Sequence, residues 1–262
     1  MTLLELAHHH PTMPSPAVPD WTIGCFRRRS ITFFSGETDT ETQVYWLQSG
    51  RLCADFRFGL PGHVEAGVAN ASWDGRQMRW SDWTALDDRN KWPEPADLRR
   101  VGNALIEFAP SDAYVEDWRL QAHEPGLLAG LRLLEETDTE TGQIRHMGGG
   151  LLVCDRHIAI VRGGSRFSAA YGVRQATGEI ETILSLDHAD PGWSLEGFEL
   201  RPDGITHSLL VDGTPVRRRY AVDTLVAAFP FSIDTQVSDS GRRWLAQEAD
   251  TLLASAKAGW NA

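Results

Sequence analysis

The sequence predicts an all-β protein in two similar halves, each an antiparallel barrel or sandwich. Three observations carry that reading. The hexapeptide Glu-Thr-Asp-Thr-Glu-Thr occurs at residues 37–42 and again at 136–141, an offset of 99 residues. Strand-like runs rich in β-branched and aromatic residues recur about every ten residues from position 21 onward. Turn residues separate them, among them Ser49-Gly50, Pro110-Ser111-Asp112, Gly163-Gly164 and Asp212-Gly213. A fixed internal period marks a repeated architecture. Short, evenly spaced strands without interleaved helices disfavour a parallel βαβ sheet.

Taken in order, residues 1–19 carry His8-His9-His10 followed by Pro11, Pro14, Pro16 and Pro19, which reads as a flexible arm. A first domain is expected over 20–125, with strands at 29–34, 43–48, 52–58, 103–108 and 114–120. The stretch 94–102 reads as a short helix. The boundary falls at the turn signal His123-Glu124-Pro125-Gly126. A second domain is expected over 126–262, with strands at 126–134, 150–154, 157–162, 167–173, 180–186, 193–200, 205–211 and 218–222. Near its end Ser238 can cap a helix whose Leu245, Leu252 and Leu253 form an apolar stripe ending near Gly259.

Composition narrows the function. Of 262 residues 42% are apolar, enough for real cores, and the net charge is −11, which disfavours a nucleic-acid partner. The triplets Arg27-Arg28-Arg29 and Arg217-Arg218-Arg219 read as solvated strand ends. Cys25, Cys53 and Cys154 lie far apart without metal-ligand spacing, so reduced thiols in a cytoplasm are expected, with no metal and no cofactor. No apolar run approaches a membrane span, and the first residues lack the basic-then-apolar pattern of a secretion signal. Nucleophile-elbow, P-loop and dinucleotide motifs are missing. His157 and His207 fall in strand-like runs and read as structural.

Residues 46–58 hold the sharpest local signal. Strand alternation puts Leu52, Ala54, Phe56 and Phe58 on one face and Cys53, Asp55 and Arg57 on the other. Facing a barrel interior, Asp55 and Arg57 would form a buried charge pair, able to orient a ligand or tune a pKa; facing water, they would be a solvated ladder. Tyr114, Glu116 and Trp118 likewise share a face. Trp80 and Trp83 flank Ser81-Asp82, and seven of the ten tryptophans, Trp92 included, precede residue 120. Tryptophan lines apolar cavities as readily as it fills cores. These patterns nominate Asp55, Arg57, Tyr114 and Glu116 as chemical groups, and Trp46, Gln48, Trp80, Trp83 and Trp118 as ligand contacts.

The runs Arg28-Arg29-Ser30-Ile31, 36–48 and Ala54-Asp55-Phe56-Arg57, with 106–107, 114–119 and 151–162, resemble bacterial proteins related to the fungal casein-kinase-interacting proteins of tandem lipocalin-like barrels. The likeness covers most of the chain through dispersed motifs; the tryptophan-rich segment 62–100 departs most from it. It implies two lipocalin-like antiparallel barrels in tandem and no established reaction. Three functions stand open. One is binding of a small apolar or aromatic molecule in a Trp-lined cavity. Another is a cofactor-independent lyase or isomerase, with Asp55 or Glu116 moving a proton and Arg57 or Tyr114 stabilising negative charge. The third is a protein-interaction scaffold. A homodimer is compatible with each, and fold alone does not choose among them.

Overall fold

A computed structural model describes residues 1–59, 64–86, 95–122, 124–186 and 191–256. Trp92, His123, Gly259 and part of the 62–100 segment lie outside these residues. The first antiparallel sheet contains β1 (Gly24–Phe33), β2 (Thr38–Asp39), β3 (Gln43–Gln48), β4 (Leu52–Phe58) and β5 (Val64–Trp73), then β6 (Gln77–Ala85), β7 (Ala96–Val101), β8 (Ala104–Phe108) and β9 (Tyr114–Leu120). Its strands pair in sequence from β3 to β9, and β9 returns to β1, closing the ring, while β2 hangs on β1. Closure pairs the end strands of the sheet with each other instead of leaving them as edges.

The second sheet contains β10 (Gly126–Asp138), β11 (Ile144–Met147), β12 (Gly149–Cys154), β13 (His157–Arg162) and β14 (Ser168–Arg174), then β15 (Ile180–Leu186), β16 (Phe198–Arg201), β17 (Gly204–Val211) and β18 (Thr214–Phe229). Strand for strand it follows the first, with β18 paired to β10 as β9 is to β1. Its path runs from β15 to β16, and no pairing joins those two ends among the described residues.

The repeated hexapeptide folds as the same turn twice. Asp39 Oδ1 accepts the backbone N–H of Glu41 and Thr42 at 2.9 and 3.0 Å, and Asp138 Oδ1 those of Glu140 and Thr141 at 2.9 Å each. This is the turn an Asp favours by bonding backbone two and three residues on. The copies do not occupy matching places, however. The first leads from β2 into β3, the second from β10 into β11.

The two sheets share a core. The outer face of β3–β5, with Tyr45, Leu47, Ala54, Phe56 and Val68, packs on Leu152, Ala159, Val161 and Tyr171 of the second sheet. Tyr171 lies 4.5 Å from the Tyr45 ring and 5.9 Å from Phe56. A Cβ on Gly150 would fall 2.9 Å from Leu52 Cδ2, so glycine is what allows the sheets to approach there. The β3–β4 turn docks on β18, where Asp223 Oδ2 accepts from Ser49 Oγ at 2.7 Å, Arg51 N at 3.0 Å and Leu52 N at 3.1 Å. Strand β4 is consequently buried on both faces, with its apolar residues against the second sheet and Asp55 inside the first barrel.

Several sequence expectations are corrected. Residues 1–19 are not a flexible arm. Helix α1 (Leu3–His9) opens with a capping box between Thr2 and Glu5 and buries Leu3, Leu6 and Ala7 in the core of the second sheet. Leu3 N donates to Leu195 O at 2.8 Å, which ties the helix beside the β15–β16 gap. The stretch 94–102 supplies strand β7 instead of a helix, and β5 and β6 occupy a region where no strand was expected. The arginine triplets are not wholly solvated: alternation turns their middle members, Arg28 and Arg218, inward while Arg29, Arg217 and Arg219 stay exposed. Helix α2 (Asp239–Leu252) is capped by Ser238 as expected, ends before Gly259 and buries no residue. No described helix is long and apolar enough to cross a membrane. Cys25, Cys53 and Cys154 are buried free thiols.

Candidate functional site

The interior of the first barrel is layered. At its centre Trp46 stacks on Phe26 at 5.3 Å and meets Trp118 edge-on at 5.9 Å and Trp80 at 6.4 Å. The Trp46 indole N–H donates to Gln48 Oε1 at 3.2 Å, and Gln48 Nε2 donates to Ser49 O at 3.0 Å. Gln48 therefore anchors Trp46 to the β3–β4 turn. Trp46 and Trp118 are nearly fully buried and pack as core, whereas Trp80 and Trp83 are half-buried.

Trp80 and Trp83 are three apart, so a regular strand would aim them to opposite faces. A register shift opposite Val68–Asn70, with Asp82 at φ 54°, breaks that alternation. Trp83 then lies over Gly67, where an added Cβ would come within 3.2 Å of Trp83 Cε3. Gly67 is the partner of Asp55 on β4, so the bulge brings Trp83 to the ring's charged layer. Among the described residues β6 pairs with β7 at Gln77–Asp97 and Met78–Ala96.

Charge lines the adjoining layer. Arg57 Nε donates to Asp55 Oδ1 at 2.8 Å and lies 3.9 Å from Glu65. Arg28 Nη1 donates to Glu116 Oε1 at 2.7 Å, and its Nη2 to Asp39 Oδ2 at 3.1 Å. Glu107, paired across strands with Glu116, is buried and accepts a long hydrogen bond from Tyr114 OH at 3.4 Å. The Trp118 indole N–H leans toward Glu107 without closing a well-formed hydrogen bond. All four chemical residues nominated from sequence thus meet in one layer. Arg28, Glu107 and Glu65 complete it and were missed. Arg28 was hidden in a basic triplet, and Glu107 sits on a strand whose inward face is otherwise apolar.

Three inward carboxyls, Asp55, Glu107 and Glu116, face two guanidiniums. Burial lifts the Asp55 carboxyl to about 6, against the pull of Arg57. Burial, reinforced by Glu116, holds the Glu107 carboxyl well above the usual carboxylate range. Burial would lower the Arg57 pKa, but Asp55, Glu116 and Glu65 outweigh it and keep the guanidinium charged. Asp55 Oδ2 has no hydrogen-bond partner among the described residues. The layer therefore combines carboxyls poised to hold or release a proton, fixed positive charge and spare hydrogen-bonding capacity. Among the described residues no group of His, Cys, Asp and Glu side chains is arranged to hold a metal ion.

Of the strand histidines, His157 Nδ1 lies 2.8 Å from Tyr171 OH at the sheet interface, and His207 stacks on Phe198 at 3.9 Å. No family model matches the chain, and no curated protein is similar to it. A solved structure is: the uncharacterized protein YLR301w of Saccharomyces cerevisiae, at a TM-score of 0.53 and 12% identity, covering 78% of this chain and 99% of that one. At such identity the likeness concerns the fold alone, and it establishes that this arrangement of β-sheets is shared with the yeast protein.

Proposed function

We propose that the first barrel binds a small aromatic or apolar molecule carrying a polar group, with Trp80 and Trp83 as walls and Asp55, Arg57, Tyr114 and Glu116 fixing the polar end. The observation that carries this reading is the incomplete satisfaction of a buried polar layer. A buried carboxylate oxygen without a partner costs on the order of 1–3 kcal/mol, and Asp55 Oδ2 is such an atom beside half-buried tryptophans. A ligand donor would supply the missing bond.

A second reading has its own support. An Asp55 carboxyl raised to about 6 is mostly carboxylate at neutral pH yet a stronger base than an ordinary aspartate, which suits a general base. With Arg57 beside it, the same site would serve a cofactor-independent lyase or isomerase. A scaffold role draws on α2, which exposes Trp244 and Leu245. Kinship with the bacterial relatives of the casein-kinase-interacting tandem lipocalin-like barrels, and a cytoplasmic location matching three free thiols, belong to the same proposal.

The test is intrinsic tryptophan fluorescence during titration with small aromatic and fatty compounds, each mixture then analysed by mass spectrometry. Saturable quenching without conversion is the expected result; conversion would favour the enzyme. Trp80→Ala and Arg57→Ala should each lose the response while keeping the wild-type circular dichroism. Silence across the panel, or unchanged quenching in both folded variants, would overturn the proposal.

A further inference from the structure

The second sheet carries a charged cluster of the opposite sign. Glu136 on β10 is fully buried and gathers three arginines. Arg218 Nε donates to Glu136 Oε2 at 2.7 Å, Arg162 Nη1 to the same oxygen at 3.4 Å, and Arg145 Nε lies 3.7 Å from Oε1. Every nitrogen of Arg218 has a partner, since Nη1 and Nη2 donate to Gly192 O and Pro191 O at 3.1 Å each. Arg162 differs. It is 2% exposed, its Nη2 donates to Ser168 Oγ at 2.7 Å, and its Nε has no partner among the described residues. Arg145 Nη1 is likewise buried without one among the described residues.

Both arginines line a cavity of about 260 Å³ together with Ile144, His146, Ser165, Arg166, Val211 and Asp212, so one further guanidinium and one further carboxylate face it. Four guanidiniums (Arg145, Arg162, Arg166 and Arg218) stand against the two carboxylates of Glu136 and Asp212 in a protein whose net charge is −11, so the local excess runs against the overall charge. Burial and the neighbouring Arg218 make Arg162 a poorer home for its proton than usual, which an added anion would relieve. His146 is held below its ordinary range by burial and by Arg162, and Glu136 and Arg145 also face it. From the unpartnered, buried guanidinium nitrogens at this cavity, we propose that it binds a phosphate-sized oxyanion, with Arg145 and Arg162 as donors and Ser165 at the rim. Guanidinium forks match tetrahedral oxyanions, and the excess positive charge favours a dianion over a carboxylate.

The experiment is calorimetric titration of the whole protein with inorganic phosphate, phenyl phosphate and acetate, with the His146 ring followed by NMR. Phosphate should bind saturably and raise the His146 titration midpoint, and acetate should bind on the order of tenfold more weakly. Arg145→Gln, at a half-buried position with only a 3.7 Å contact to Glu136, should keep the fold and weaken phosphate about tenfold or more. Arg162→Lys provides a second variant that retains the charge. Tighter phenyl phosphate would assign a phosphate monoester whose ring lies on Ile144 and Val211; equal binding would assign free phosphate. Failure of phosphate to saturate, acetate binding equal to phosphate, or wild-type affinity in both variants would overturn the proposal.

Discussion

Asp55 and Arg57 show how much one spacing can accomplish. Two residues apart on a strand, they share a face and meet at 2.8 Å, yet the pair leaves Asp55 with a raised pKa because burial outweighs the guanidinium. The linkage has a definite sign. As pH rises from about 4 to about 6, the unfolded chain gives up the Asp55 proton first, so this group lowers folding stability across that window, by on the order of 3 kcal/mol. Asp55→Asn should lack that decline, as measured by chemical denaturation at several pH values; parallel curves for variant and wild type would refute the assignment. The Arg28–Glu116 pair makes a second expectation. Glu116→Gln, which leaves Arg28 short of a buried partner, should cost about 3–5 kcal/mol, and the double replacement Arg28→Met with Glu116→Leu should cost less. A smaller loss in the single variant than in the double would contradict the burial described. Parity along β4 made Asp55 and Arg57 legible in the sequence. Which parity faces inward depends on the neighbouring strands, and this is why Arg28 passed for a solvated charge and Glu107 went unnoticed.

Elements differ in how openly they announce themselves. The hexapeptide was legible as a repeat, and in both copies the aspartate Oδ1 accepts the backbone N–H groups two and three residues on. Its offset nonetheless misaligns the halves, because a turn is a local device that can close different strand pairs. Helix α1 was hidden by its seven residues, too few for a period to emerge, and by the histidines and prolines that follow. Its burial gives it weight. Leu6→Ala should cost about 2–5 kcal/mol in denaturant titrations, and a loss below ~1 kcal/mol would mean the helix is not part of the core. Helix α2 is the contrast. Truncation after residue 238 should leave the unfolding midpoint unchanged, since α2 buries no side chain; a lowered midpoint would show that α2 contributes packing after all.

At the scale of the molecule, two sheets with the same strand order carry opposite charge patterns at matching places. Glu107 pairs with Glu116 across β8 and β9, while His207 pairs with Arg218 across β17 and β18. One repeated framework thus presents an acid-rich interior in the first half and an arginine-rich one in the second. The halves nevertheless share a core through Phe56 and Tyr171, so they should unfold together. Tryptophan fluorescence, weighted to the first half, and far-ultraviolet circular dichroism should give coincident transitions; separate midpoints would show independent halves. The two-fold all-β plan was visible in the spacing of turns, whereas the sheet interface was not, since strands buried on both faces lose the alternation that reveals an inside.

The most direct test of the account is a carbon-13 NMR titration of the Asp55 side-chain carboxyl, first in the free protein and then saturated with a compound that quenches the tryptophans. A free pKa near 6 and a clear shift on saturation are expected, because the ligand's polar end would sit on that carboxyl. An ordinary carboxylate value in the free protein, or a pKa unmoved by a saturating ligand, would contradict it.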